Sequence, residues 1–145
     1  MFSDKINCFP QFLKKAFYDH DISKLKLDIN KTQTQILMLV SVNREKSMSE
    51  ISLMTGMEKS SFTRSVERLV KKGFVTRNPS KSDRRIIQLS LTNKGSKAAK
   101  SIKNDFDGHL ESLISGFSEE EKKEFFASLE TVSGYVNKIL TSEKK

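Results

Sequence analysis

The segment around Gly73 constrains the fold more than any other part of this 145-residue sequence, because the spacing of apolar residues changes there. Before Gly73, apolar residues recur every three or four positions, which is the period of an amphipathic helix. Beyond it, Ile87, Leu89 and Leu91 alternate with polar residues, which is the period of a half-buried strand. The sequence therefore predicts helices that are followed by a β-hairpin.

Two helices in close succession are predicted directly before the hairpin. Ser47 and Glu50 have the spacing of a capping box at the start of a short helix that stops at Gly56, and a longer helix begins two residues later and ends at Gly73. The predicted apolar residues are Ile51 and Met54 in the short helix and Phe62, Val66, Leu69 and Val70 in the long one. A short helix, a tight turn and a longer helix form a helix-turn-helix, and the hairpin makes it a winged helix.

Further helices are predicted on both sides of this region. Their start signals are Pro10 in the first turn of an opening helix that runs past Phe17, Asn30 with Gln33, Thr92, and Ser118 with Glu121. The first strand is placed at residues 74–77 and the turn at 78–83. The expected fold class is mainly α with a small β-hairpin, and the expected organisation is one domain over residues 1–145. Residues 31–91 form its winged helix-turn-helix core, and residues 1–30 and 92–145 form a helical dimerisation region.

Positive charge is concentrated in the predicted core. The chain has a net charge of +8; residues 31–91 hold twelve Lys and Arg against five Asp and Glu, whereas residues 1–30 and 92–145 are close to neutral. All six arginines lie in the core, and the planar guanidinium group suits phosphate and guanine edges. This distribution indicates a polyanionic partner.

The long helix after Gly56 is the predicted reader of double-stranded DNA. At about 100° per residue, Arg64, Arg68 and Lys71 point away from Phe62, so burial of Phe62 exposes these cations. We expect Arg64 to contact guanine, Arg68 to contact the backbone, and the hairpin arginines to enter a minor groove. The candidate DNA-binding residues are Lys59, Ser60, Ser61, Thr63, Arg64, Arg68, Arg77, Asp83, Arg84 and Arg85. The alternatives are an ordinary solvated helix face and, for Asp83, a simple surface ion pair instead of a partner that orients an arginine.

The terminal helices carry apolar stripes that favour helical pairing between two chains. In the last helix, the apolar residues follow spacings of four and three, the pattern that a partner helix contacts. The candidate dimerisation residues are Ile6, Phe9, Leu13, Phe125, Leu129, Val132, Val136 and Ile139. Burial within their own domain is the alternative.

Residues 30–95 resemble the winged-helix core of the MarR family of bacterial transcription regulators, and the flanking helices extend the resemblance over nearly the whole chain. The residues that carry it are Gln33, Leu37, Glu50, Ile51, Gly56 and Met57, the run Ser60-Ser61-Phe62-Thr63-Arg64-x-Val66-x-Arg68-Leu69-Val70-x-Lys72-Gly73-Phe74-Val75-x-Arg77, Asp83-Arg84-Arg85, and Leu91-Thr92-x-x-Gly95. The resemblance implies a homodimer that acts as a repressor on a pseudo-palindromic operator. A small lipophilic effector or an oxidative signal would release it from the DNA. The resemblance also makes Cys8 a candidate redox sensor, although neither Tyr18 nor Tyr135 lies in the second helix, where the peroxide-sensing branch has tyrosines. The sequence itself favours a small packing residue at Cys8, and redox sensing is the alternative.

Several other classes are not supported by the sequence. One cysteine and two histidines, His20 and His109, provide no disulfide and no metal site, and we expect the histidines at the surface or at helix ends. The longest apolar run is too short to cross a membrane and the N-terminus lacks the order of a signal peptide, so a cytoplasmic protein is expected. No motif of an enzyme and no cofactor site is found. The remaining alternative function is a winged-helix adaptor that binds an acidic partner.

Overall fold

The computed structural model describes residues 5–142, apart from the side chain of Thr141. A π-helical turn at Lys14–Tyr18 follows the first helix, and a 3₁₀ turn lies at Ser23–Leu25. The regular elements are α1 (Phe9–Leu13), α2 (Lys31–Val42), α3 (Met48–Thr55), α4 (Lys59–Lys71), β1 (Val75–Pro79), β2 (Ile87–Leu91), α5 (Asn93–Leu113) and α6 (Glu119–Ser142). The predicted fold class, mainly helical with one antiparallel hairpin, is confirmed.

The chain forms two compact units. The core unit is His20–Phe106, and the terminal unit combines the described residues up to Asp19 with those from Asp107 onward. Helices α2, α3 and α4, the hairpin and α5 as far as Phe106 belong to the core unit, whereas α1, the rest of α5 and α6 belong to the terminal unit.

One apolar core holds the core unit together. Phe62, Val66 and Leu69 of α4 are at most 1% exposed, because their spacing of four and three residues places them on one side of the helix. The other buried members are Ile36, Leu37, Val40, Ile51, Phe74, Val75, Leu89, Ala98, Ala99 and Ile102. Every element of the unit from α2 to α5 therefore contributes to the same core.

Two residues predicted to be on the apolar faces are exposed. Met54 lies on the solvent side of α3, because Met48 and, after the turn, Met57 cover the core beside Ile51. Val70 lies about 80° around α4 from Phe62, at the edge of the buried arc. Both predictions are wrong because a short apolar pattern does not fix the centre of the buried face.

The predicted capping residues are confirmed. The Asn30 side chain accepts from the Gln33 amide at 2.9 Å, and the Ser47 hydroxyl accepts from the Glu50 amide at 3.1 Å. In each case the residue at the third helical position accepts from the amide of the cap in return. These boxes satisfy amides that a helix start leaves free.

Glycines end α3 and α4 in the left-handed conformation. Gly56 has φ 66° and Gly73 has φ 77°, which residues with a side chain rarely adopt. At the end of α4 the Gly73 amide donates to the Val70 carbonyl and the Phe74 amide donates to the Leu69 carbonyl, both at 2.9 Å. This pair of bonds is a Schellman motif, and it turns the chain from α4 into the hairpin.

The first strand of the hairpin is longer than the sequence indicated, whereas the second, Ile87–Leu91, is as predicted. Strand β1 begins at Val75 and continues to Pro79, which pairs with Ile87, so the loop covers residues 80–86 instead of 78–83. Pro79 is tolerated because it lies in an edge strand, where its missing amide is not needed. Of the alternating residues in β2, Leu89 is buried and Ile87 is exposed, because Ile87 lies at the loop end of the strand.

The start of α5 is fixed against the end of α4. The Thr92 hydroxyl accepts from the Gly95 amide at 3.0 Å, so Thr92 is the predicted cap of this helix. A Cβ atom on Gly95 would lie 1.9 Å from the Phe74 carbonyl oxygen, so only glycine fits this close approach.

The terminal unit is built on aromatic contacts. Phe125 of α6 contacts the Phe12 and Phe117 rings edge to face, at centroid distances of 5.8 and 5.9 Å. The predicted capping box of Ser118 and Glu121 is confirmed, with bonds of 2.8 and 3.2 Å. The opening helix differs from its prediction, because a turn at residues 6–8 precedes Phe9–Leu13 and the helix continues after Leu13 as a π-helical turn. Ile6 therefore lies in a turn before the helix.

Candidate nucleic-acid interface

Helix α4 has one buried and one charged side. Phe62, Val66 and Leu69 are buried, whereas Arg64 and Arg68 are exposed, as the helical spacing predicted. The guanidinium groups are therefore accessible to a large polyanion.

The N-terminal end of α4 presents short polar side chains and backbone amides. Lys59, Ser60 and Ser61 are exposed, and Thr63 is half-buried. Glu58 precedes the helix and its side chain makes no cap hydrogen bond, so it leaves the amides of the first turn available. A helix N-terminus with free amides attracts phosphate oxygens.

The hairpin carries the other predicted cations, Arg77 in strand β1 and Arg84 and Arg85 in the loop. Arg77, Arg84 and Arg85 are exposed, and Arg85 is 95% exposed in its side chain. Asp83 accepts from the Arg85 amide at 2.9 Å, and its carboxylate lies 3.7 Å from the Arg85 Nε. Asp83 therefore fixes the conformation of the loop at Arg85. An exposed ion pair of this kind contributes about 0–1 kcal/mol to the stability of the fold.

A groove of about 1120 Å³ lies between α4 and the hairpin. Lys59 and Thr63 line it from α4, and Arg85 lines it from the hairpin loop. Arg68 instead lines a second concave surface with Lys71 and Lys72, beside the start of α2. Neither concave surface includes Arg64, Arg77, Asp83 or Arg84.

The sequence did not predict the contribution of the residues before α3 to this groove. Ser47 forms an isolated β-bridge with Gln88, and the Gln88 side-chain amide donates to the Glu45 carbonyl at 2.9 Å. Ser49, near the start of α3, therefore lines the groove together with the hairpin. The Ser47 capping box was visible in the sequence, but its pairing with a residue 41 positions later was not.

The two units differ in charge. The core unit has 18 Lys and Arg against 8 Asp and Glu, and the remaining residues of the chain have 8 against 10. The core unit therefore carries a net charge of +10 and the rest of the chain −2. The charged region is thus larger than residues 31–91, because it also includes the lysines of α5.

His20 follows the end of the π-helical turn, a helix end as the prediction allowed, but its side chain is not at the surface. Its Nε2 lies 2.7 Å from the Asp105 carboxylate and its side chain is 9% exposed. Lys24 reaches the other oxygen of Asp105 at 2.6 Å. The hydrogen bond from Lys24, supported by that of His20, holds the pKa of Asp105 below its usual value. His109 is half-buried and its Nε2 lies 3.0 Å from the Lys15 carbonyl.

Cys8 is exposed, so its interpretation as a packing residue within the chain is wrong. It directly precedes α1, and its side chain makes no hydrogen bond to the first turn of that helix. Among residues 5–142, no three His, Cys, Asp or Glu side chains are grouped so as to hold a metal ion.

Most of the candidate dimerisation residues are exposed in the single chain. Ile6, Phe9 and Leu13 are exposed near the N-terminus, as are Val132, Val136 and Ile139 on α6. Phe125 and Leu129 are half-buried. Tyr135 and Leu140 are also exposed on α6 and lay outside the predicted spacing. In the described part of the chain, none of the helices has the length and hydropathy of a membrane span.

Helices α3 and α4, joined by a tight turn and followed by a hairpin packed on the same core, define a winged helix-turn-helix protein. Comparison with known proteins agrees: the sequence model of the MarR family matches residues 27–86. The chain is 31% identical over 114 residues to the uncharacterized HTH-type transcriptional regulator YfiV of Bacillus subtilis, covering 78% of this chain and 71% of that protein. The protein belongs to the MarR family.

Two further comparisons are consistent with this assignment. The chain is 30% identical over 96 residues to the HTH-type transcriptional regulator BilQ of Clostridioides difficile, covering 66% of this chain and 65% of that protein. The fold matches the solved MarR protein of Peptoclostridium difficile with a TM-score of 0.75 at 24% identity, over 99% of this chain and 94% of the other. Members of the family are DNA-binding transcription regulators and not enzymes, so the adaptor alternative is not favoured.

Proposed function

We propose that the protein is a homodimeric, sequence-specific repressor that binds a pseudo-palindromic operator and is released by a small-molecule or oxidative signal. The observation that carries the proposal is the division of α4 into a buried apolar side and an exposed cationic side. In this proposal residues 1–145 act as one MarR-like domain, with residues 31–91 as the DNA-binding core and residues 1–30 and 92–145 as the dimerisation region.

Helix α4 enters the major groove in the proposed complex. Arg64 forms a bidentate contact with guanine and Arg68 contacts the backbone, while the exposed polar end of the helix meets phosphates and base edges. The hairpin arginines contact a neighbouring minor groove. The proposed DNA-binding residues are Lys59, Ser60, Ser61, Thr63, Arg64, Arg68, Arg77, Asp83, Arg84 and Arg85.

Pairing of the terminal units provides the second DNA-binding helix. The support for this is the apolar surface that α1 and α6 expose in a single chain, because such a surface marks a protein interface. The proposed interface residues are Ile6, Phe9, Leu13, Phe125, Leu129, Val132, Val136 and Ile139. A two-fold dimer places two copies of α4 one helical turn of DNA apart.

Salt dependence tests the DNA-binding part of the proposal. We expect the logarithm of the affinity for duplex DNA to fall linearly with the logarithm of salt concentration, with a slope near −0.9 per phosphate contact, and to depend on sequence. Fluorescence anisotropy with two duplexes of equal length and different sequence measures both effects. Equal affinity for the two duplexes would contradict sequence-specific binding.

An oxidative signal is proposed to act at Cys8, whose thiol is exposed in the single chain and lies between Ile6 and Phe9 of the proposed interface, so that its oxidation would disturb the dimer. We expect organic peroxide to release the wild-type protein from its operator and to leave Cys8→Ser bound. An electrophoretic mobility assay with and without reductant measures the release. If both proteins stay bound, release requires a lipophilic effector instead, and if both are released, the signal acts elsewhere.

A further inference from the structure

The first half of α5 presents lysines to solvent without any carboxylate between them. Residues 92–104 contain four lysines and no Asp or Glu. Lys97, Lys100 and Lys103 are exposed, and at about 100° per residue they lie outside the arc that buries Ala98, Ala99 and Ile102. We call these three residues the α5 lysine face.

The order of charged residues along α5 is the reverse of the order that stabilises a helix dipole. A helix is stabilised by acidic residues near its N-terminus and by basic residues near its C-terminus. Helix α5 has no acidic residue in its first turn and no basic residue in its last turn, whereas its second half contains Asp105, Asp107 and Glu111. Helix stability therefore does not account for the position of the lysines.

The lysine face also has no anionic partner within the described chain. Among residues 5–142, no carboxylate forms an ion pair with Lys97, Lys100 or Lys103. Asp105, the next acidic residue along the helix, is bound by Lys24 and His20. The positive charge of this face is therefore available to an external anion.

The lysine face is continuous with the cationic surface of α4. The Lys94 Nζ donates to the Lys72 carbonyl at 2.7 Å and lies 4.3 Å from the centre of the Phe74 ring, which joins the start of α5 to the end of α4. Arg68 and Lys71 line one concave surface at that end, where Lys72 pairs with Asp28 at 3.1 Å, and Lys94 and Lys97 line another. The two surfaces flank the contact of Lys94 with Lys72.

We propose that the α5 lysine face binds the phosphate backbone of the same DNA duplex that α4 reads. This inference rests on the proposed function, and it extends the DNA contact beyond the recognition helix and the hairpin. A lysine ammonium is a strong phosphate partner without base preference, so this face adds affinity and leaves the sequence preference to α4. Each phosphate contact releases condensed counterions, which makes the contribution measurable through salt.

The test replaces Lys97, Lys100 and Lys103 with glutamine in the full-length chain. The probe is a duplex that carries the consensus selected by the wild-type protein from a random pool, and binding is measured by anisotropy between about 50 and 200 mM salt. We expect the salt slope of the triple variant to become shallower by about 0.9 for each phosphate that a lysine no longer neutralises, up to about 5 per dimer. The ranking of affinities for single-base variants of the consensus stays unchanged.

A matched control removes the same charge from the terminal unit. Lys14, Lys15 and Lys123 are exposed there, and their triple glutamine variant should retain the wild-type slope. Equal urea midpoints for the three proteins show that folding is unaffected. Lys100→Glu provides a second variant of the lysine face, with the same direction of change.

The remaining outcomes each have one interpretation. An unchanged slope in the lysine-face variant, while the wild type still selects a consensus, overturns this inference and leaves the proposed function intact. If the slope changes only under conditions in which two duplexes bind per dimer, the lysine face contacts a second duplex. That result also overturns the inference. Failure of the wild type to select any consensus contradicts the proposed function, and the inference falls with it.

Discussion

Helices α4 and α6 are both amphipathic, but they use their apolar sides differently. The apolar side of α4 is covered by the core of its own unit, and its cations face solvent. On α6 the apolar residues Val132, Val136 and Ile139 face solvent in the single chain. The apolar side of α4 is therefore satisfied within its own unit, whereas that of α6 is not, which is why we propose that α6 pairs with a second chain.

Charge divides the molecule in the same way. The core unit carries a net charge of +10 and the rest of the chain −2, so the electrostatic attraction to DNA comes from the core unit. We therefore expect substitutions in α4 to change folding or DNA binding according to which side they alter. Substitutions on the exposed stripe of α6 should change association between chains.

The largest expected effect is on the buried side of α4. Phe62→Ala should lower the free energy of unfolding by about 3–5 kcal/mol, because it leaves a cavity in the shared core. Leu53→Ala is the matched control, since Leu53 is 66% exposed and its truncation should change stability by less than about 0.5 kcal/mol. Urea unfolding followed by circular dichroism measures both, and equal decreases would contradict the distinction between covered and uncovered apolar residues.

The next effect concerns the exposed stripe of α6. Val136→Asp should weaken the dimer by about 3 kcal/mol, because it buries an unpaired charge at the proposed interface. Ala127→Asp adds the same charge at an exposed position about 180° around the helix from Val136 and should leave the dimer intact. Sedimentation equilibrium determines both dissociation constants. A monomeric wild type, or no difference between the variants, would show that the stripe has another purpose.

Arg64 tests the cationic side of α4. Arg64→Ala should cost about 1–3 kcal/mol of operator affinity and relax the preference at one base pair, because it removes a bidentate bond to guanine. Arg64→Lys keeps the charge without the planar fork and should still relax the preference. Arg84→Ala and Arg85→Ala should reduce affinity with little change in the half-site sequence. Competition binding with single-base variants of the operator measures these effects, and unchanged preference in Arg64→Ala would remove this residue from base recognition.

The smallest effect concerns Asp105 in the core unit. Because the pKa of Asp105 is lowered in the folded chain, chiefly by Lys24, its stabilisation is present above the unfolded pKa of about 3.9 and is lost as pH falls through the folded pKa. Asp105→Asn should cost about 1 kcal/mol at neutral pH and show a smaller loss of stability in acid. Urea midpoints measured down to about pH 2 report this. The control is Asp107→Asn, at an exposed carboxylate, and an acid profile for Asp105→Asn identical to wild type would contradict the assigned role.

The sequence predicted those features that local chemistry decides. The caps at Asn30, Ser47 and Thr92 and the buried side of α4 depend on residues a few positions apart, so their pattern is sufficient. Which of the candidate DNA-binding residues line the same groove depends on packing between elements that are far apart in the sequence. The pairing of Ser47 with Gln88 brings residues before α3 to the hairpin, and no local sequence pattern predicts this pairing.

Long-range contacts also explain the errors. His20 and Asp105 are separated by 85 positions, so no local pattern could remove His20 from the surface. Pro79 suggested a turn, but its position at a strand edge lets β1 continue. The sequence pattern ends the charged core at residue 91, whereas the compact unit extends to Phe106 and includes the lysines of α5.

Whether two copies of α4 read DNA together can be decided by selecting bound fragments from a random pool of duplex DNA. We predict a two-fold symmetric consensus whose half-sites are centred about 10 base pairs apart, one turn of the duplex. Enrichment of a single asymmetric site, or no enrichment over the starting pool, would contradict it.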